Sequence, residues 1–182
     1  INKLLGDYSK AASSQTLVAK GSSSIGDDLV DLVSARLISV SETEAGEALA
    51  EAKIKQMTGG DVLKGRPLYG SWLEFSIIGK IFLATNSLPQ INNTDHGIWR
   101  RIQAIPFNRT FSAEERDKDL GVKLTSELPG ILNWAIQGCL EWQQQGLNPP
   151  QVVLDQVSAY KTEMDSIAQF VEQECSLAAE AK

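Results

Sequence analysis

The sequence has no Gly-x-x-x-x-Gly-Lys-Ser/Thr stretch, so its 182 residues encode no loop of the kind that cradles a nucleotide's phosphates in backbone amides. The nearest approach, Gly79-Lys80, fails on both sides, because Ile81 follows where Ser or Thr is needed and Glu74 stands where the first glycine belongs. Cysteine is scarce: Cys139 and Cys175 are isolated and lack metal-ligand spacing, which argues against a disulfide framework or a zinc site and fits a reducing compartment. Both read as core residues. His96 is the only histidine, has no Ser or Cys nucleophile nearby, and reads as a loop residue. No apolar run approaches the roughly 20 residues that span a bilayer, and Ile1-Asn2-Lys3 opens neither a signal peptide nor a lipidation motif. An intracellular, cytoplasmic chain without membrane contact is expected, and no internal repeat is present.

What is there suffices for a packed core: 42% of the residues are hydrophobic, and the length allows one domain, or one with an appendage. The formal charge is −6, yet Lys53, Lys55, Lys64, Arg66, Lys80, Arg100 and Arg101 face only Asp61, Glu74 and Asp95 within residues 53–101. That window carries +4 and leaves −10 for the rest. A basic segment in an acidic protein suits phosphate groups, of a nucleotide or a polynucleotide, without making the whole surface adhesive; chance clustering on a solvated face is the alternative.

Ile1, Leu4, Leu5 and Tyr8 recur at helical spacing, so the chain opens inside a helix that closes near Gly6 or Asp7. Residues 9–26 are rich in Ser, Ala and Gly around a small apolar centre at Leu17-Val18 and read as a loop with at most one short strand; Asp27 or Asp28 then caps a short helix through Val33. Leu37-Ile38-Ser39-Val40 is β-prone and ends on Glu42 and Glu44, before a helical pattern through Ala45, Leu49, Ala52 and Lys53. Carboxylates at the end of an apolar strand can hold Mg²⁺ beside a triphosphate and polarise the attacking water; Glu in a first helical turn also answers the helix dipole.

Thr58-Gly59-Gly60-Asp61 supplies a tight turn, and residues 62–75 read as a hairpin. Its Lys64, Arg66, Tyr69 and Trp72 mix cations with aromatics, as single-strand nucleic-acid channels do; a surface loop with inward aromatics has the same composition. Ile81-Phe82-Leu83-Ala84-Thr85 reads as the chain's most convincing buried strand and stops at Asn86, before Leu88-Pro89. An amide there can orient a water against a γ-phosphate or simply favour the turn. Of the adjacent Arg100 and Arg101, which cannot both face one way, one can pair internally while the other projects as an arginine finger; ordinary surface or ion-pair roles are the alternative. Residues 102–107 read as another strand, interrupted at Pro106. From Ser112-Ala113-Glu114-Glu115, a capping-box pattern, the texture turns helical. Ile131, Leu132, Ala135, Ile136, Cys139 and Leu140 define one apolar face that reads as core, and further helices carry Val153 to Tyr160 and Ile167 to Val171.

In this order, Ala35-Arg36-Leu37 through Glu44, Ile54-Lys55-Gln56-Met57-Thr58-Gly59-Gly60-Asp61, Arg66-Pro67-Leu68-Tyr69, Phe75, Lys80 to Asn86 with Pro89, Asp95 to Arg101, Ile105-Pro106-Phe107, Glu127 to Ala135, and Tyr160 with Asp165 resemble the phage and plasmid primase-helicases of helicase superfamily three, including the poxvirus-like primase carboxyl-terminal helicase domains. The resemblance covers nearly the whole chain. It implies an α/β fold: an incomplete AAA+-like P-loop NTPase sheet over residues 1–110 with a helical appendage over 111–182. It implies a ring-forming, commonly hexameric ATPase that uses ATP and Mg²⁺ to translocate on single-stranded DNA, often fused to a primase, in the cytoplasm of a bacterial host carrying the phage, prophage or plasmid. Glu42, with Glu44 as partner, then matches the Walker B acid and Mg²⁺ site, and Asn86 the sensor. Lys55, Lys64, Arg66 and Tyr69 match the DNA-contacting hairpin motif, and Arg100 or Arg101 the finger acting in trans. Family members carry the P-loop shortly before the first helix seen here. Residues 1–182 alone are therefore expected to hold no ATP tightly and hydrolyse none, and the strand that precedes that loop is missing too, leaving a sheet edge open. A non-enzymatic module that binds DNA or partner subunits is the competing expectation.

Overall fold

A computed structural model of the chain describes residues 1–19, 27–41, 46–67, 69–93 and 95–175. Its organising feature is a three-stranded parallel sheet in the order β1-β2-β5, with β1 at Ser9–Ala12, β2 at Leu37–Ser41 and β5 at Lys80–Ala84. Parallel neighbours need crossover connections. The link from β1 to β2 carries α2 (Asp27–Val30), and the link from β2 to β5 carries α3 (Glu51–Gly59) and an antiparallel hairpin of β3 (Leu63–Gly65) and β4 (Leu73–Phe75). The expected opening helix is α1, Asn2–Leu5, continued by a tight turn of 3₁₀ helix to Tyr8. The apolar β2 forms because it is central, with Leu37, Ile38 and Val40 buried. Glycine makes its approach to β5 possible: a Cβ on Gly79 would lie 2.8 Å from the Ala35 carbonyl oxygen and 3.1 Å from the Ile38 side chain. Gly79-Lys80 thus opens a strand, where a phosphate loop would follow one.

Several expectations need correction. The strand expected to be buried, β5, is an edge: Ile81 and Leu83 are half-buried while Phe82 is 49% exposed, since among the described residues only β2 pairs with it. Residues 102–107 form no strand, because a cleft of about 750 Å³ separates them from β5 and Pro106 has no N–H to donate. The helix expected from Ala45 starts at Glu51, after a short extended segment in which Leu49 N–H donates to Gln90 O at 2.8 Å and Ala50 N–H to Leu17 O at 2.7 Å. The capping side chains expected at Asp27 and Asp28 fall outside the description.

The carboxyl-terminal helices are α5 (Leu120–Ser126), α6 (Leu128–Gln145), α7 (Gln151–Met164) and α8 (Ser166–Glu174). The α6 face read as core is not core here: no residue of α6 is buried, and Cys139 and Cys175 are exposed. Ser112 and Glu115 do exchange capping-box hydrogen bonds, at 3.1 and 3.4 Å, but they close an isolated turn and the helix begins only at Leu120. By contrast α7 docks: Val153 and Tyr160 are buried, and Tyr160 joins Ile38, Ile54, Ile91 and Ile98 in one apolar core.

Candidate functional site

The parallel register sets Ser41 beside Ala84, so β2 and β5 end level with each other. Open α/β sheets present their ligand-binding crevice at such carboxyl ends. Glu42 and Glu44, the residues that follow Ser41 most closely among the expected site, lie outside the described residues. Asn86 comes two residues after Ala84, in a bend closed by the Thr85 hydroxyl, which donates to Ser87 O at 2.8 Å. The Asn86 side chain is exposed and makes no hydrogen bond among the described residues. It lines the cleft beside β5 together with Lys80, Thr85, Thr58 and Arg101.

Ile54, Met57 and Thr58 of α3 line this cleft, and α3 is tied to a second, shorter helix. The short α4 (His96–Trp99) is capped by Asp95, whose carboxylate accepts from Ile98 N–H at 3.1 Å and from Lys55 Nζ of α3 at 2.5 Å. The Lys55 hydrogen bond, ahead of the backbone N–H groups of Ile98 and Gly97, holds the Asp95 carboxyl below its usual range. Glu51, buried in the first turn of α3, accepts from Asn92 and Asn93 N–H at 2.9 and 3.0 Å and from Asn93 Nδ2 at 2.8 Å. Sequence reasoning missed Glu51, because its partners lie about forty positions away and only the tertiary fold brings them together.

The two arginines part company at the end of α4. Arg101 folds back, donating from Nε to Thr58 Oγ1 at 2.9 Å and from Nη1 to Gly97 O at 2.6 Å. Arg100 is exposed and has no partner among the described residues.

The hairpin residues divide similarly. α3 ends at Gly60, whose φ of 81° is the left-handed value that stops a helix and releases the chain into β3. Lys64 pairs across the strands with Glu74 at 2.9 Å, which raises the lysine's pKa and lowers the carboxylate's, and Arg66 lies over the Trp72 ring at 5.5 Å. Tyr69 is fully exposed at the tip, with φ 62°. Leu63 and Phe75 are buried, so the hairpin is rooted in the core while its tip stands clear. Lys55 does not join this group; its ammonium is engaged on α4.

These side chains suit an anionic, phosphate-bearing ligand: two cations, Lys80 and Arg101, and the exposed amide of Asn86 line the cleft. Among the described residues no cluster of His, Cys, Asp or Glu is arranged to hold a metal ion, and no helix is long and apolar enough to cross a membrane.

No family model matches the sequence. It is similar, at 28% identity over 92% of its length, to a protein of Acanthamoeba polyphaga mimivirus provisionally named helicase L207/L206, and at 28% identity over 94% to one of Frog virus 3 provisionally named helicase 022R. The chain spans 19% and 20% of the lengths of these relatives. The similarity supports a distant helicase-like relationship, and the parallel α/β sheet is compatible with a P-loop-like fold. Both relatives come from viruses of eukaryotes, so the expected phage origin and bacterial host find no support.

Proposed function

We propose that residues 1–182 form the sensing part of an ATP-driven helicase of the superfamily-three, AAA+-like type, acting on single-stranded DNA as a homo-oligomeric ring, with any primase unit elsewhere in the polypeptide. The observation that carries this reading is the level ending of β2 and β5, which sets the bend carrying the free amide of Asn86 just past the carboxyl rim of the sheet. Glu42, assisted by Glu44, would hold Mg²⁺ and orient water, and the ion would supply neutralisation of phosphate charge. Asn86 donates to the terminal phosphate or positions the water. Arg100 is the finger offered to a neighbouring subunit, because its guanidinium is free, whereas Arg101 braces α4 against α3. Arg66, Tyr69 and Trp72 at the hairpin tip stack on and neutralise the strand; Lys64 assists as a half of an exposed ion pair, and Lys55 acts at a distance by fixing α4.

The residues seen here contain no phosphate loop, so alone they are expected to release no phosphate from ATP above background. The test is hydrolysis by the full-length gene product, with and without single-stranded DNA. DNA-stimulated turnover that Glu42→Gln abolishes while nucleotide still binds supports the reading; full turnover in Glu42→Gln removes Glu42 from the site. Binding of DNA without any hydrolysis favours a binding module instead.

A further inference from the structure

Tyr160 of α7 is 2% exposed and sits where three elements meet. Its hydroxyl donates to the carbonyl oxygen of Pro89, three residues beyond Asn86 in the bend that follows β5. Its ring meets the Trp99 ring edge-on, with centroids 5.2 Å apart and planes at 83°. Trp99 immediately precedes Arg100, and its indole N–H donates to Asn93 O at 3.1 Å, tying it to the loop that Glu51 gathers. One side chain from the carboxyl-terminal region therefore touches both the loop that carries the free amide and the helix that carries the arginine pair. A hydroxyl on a buried carbonyl is costly to lose, since the carbonyl then has no partner, and a T-shaped aromatic pair resists rotation of either ring.

We infer that Tyr160 is a positioning residue of the proposed phosphate site: it sets the Asn86 bend through Pro89 and sets α4 through Trp99, so that the amide and the arginines keep a fixed relation. This rests on Asn86 and Arg100 having the roles proposed above. The two contacts are separable by chemistry. Tyr160→Phe keeps the ring on Trp99 and releases only the Pro89 carbonyl. Small displacements of a positioned group cost one to two powers of ten in rate, so in the full-length gene product Tyr160→Phe should lower kcat for ATP hydrolysis about tenfold while the KM for ATP stays within twofold.

A residue that merely supports the fold would not single out Asn86, and a double-mutant cycle decides the point. If Tyr160 acts through Asn86, adding Tyr160→Phe to Asn86→Ala lowers kcat no further. Placing 4-aminophenylalanine at position 160, which puts an N–H donor where the hydroxyl was, should restore most of the lost kcat and does not depend on the phenylalanine variant folding. Additive losses, an unchanged kcat in Tyr160→Phe while Asn86→Ala inactivates, or failure of the amino analogue to match wild type better than phenylalanine would each overturn the inference. Unchanged hydrolysis in Asn86→Ala alone would instead overturn the phosphate-site reading itself, and with it any positioning role.

Discussion

Adjacent residues of one type can hold opposite jobs, and Arg100 and Arg101 can be told apart without any activity assay. Arg101→Ala removes two charge-assisted hydrogen bonds between α3 and α4 and should cost about 1–3 kcal/mol, readable in urea denaturation. Arg100→Ala breaks no side-chain hydrogen bond or ion pair among the described residues and should stay within about 0.5 kcal/mol of wild type. If the reading is right, that stable variant loses hydrolysis in the assembled protein. Equal destabilisation by both changes would contradict the assignment. The Lys55–Asp95 pair gives a pH signature whose sign is fixed by the depressed Asp95 carboxyl. The folded state binds that proton less readily than the unfolded state, so the stabilisation is complete above the ordinary carboxylate range and disappears as the pH falls through and below it. Lys55→Met should therefore lower Tm near neutrality and flatten its fall between about pH 5 and pH 3; parallel curves for variant and wild type would contradict it.

Among the elements, the hairpin is the clearest separation of root from tip. Arg66→Ala and Tyr69→Ala alter exposed groups beyond the buried Leu63 and Phe75, so they should weaken single-stranded DNA binding with little change in Tm. A stacked aromatic is worth about 1–3 kcal/mol per base, so Tyr69→Ala should raise Kd roughly tenfold in a fluorescence-anisotropy titration; unchanged affinity would remove the tip from the nucleic-acid surface. The hairpin was legible in the sequence because its turn residues and alternation are local, and so were β2 and the strand quality of 80–84. What was not legible depended on neighbours. Apolar β5 looks buried by composition but is half-open because, among the described residues, β2 alone pairs with it and no strand lies against the strand-like residues 102–107. The α6 stripe, with Trp134 75% exposed, has helical periodicity but no surface of the described residues covering it. Tyr160 was legible as a helical apolar position, whereas its hydroxyl's partner 71 residues away was not.

At the scale of the whole molecule, an open β5 edge and an uncovered α6 are both surfaces that water tolerates poorly. Residues 1–182 in isolation should self-associate with rising concentration, and Phe82→Lys, which charges the exposed side of the edge, should reduce that association in sedimentation velocity; undiminished association would place the contact elsewhere. The proposal of a rim that serves a triphosphate rests on the parallel sheet, the cleft beside β5 and the similarity to two viral helicase-named proteins. The most direct test is ATP hydrolysis by the full-length gene product carrying Asn86→Ala, measured with saturating single-stranded DNA. With Asn86 serving the phosphate, kcat falls by about tenfold or more while ATP binding persists. Turnover equal to wild type would show that the amide at the end of β5 does not serve the phosphate.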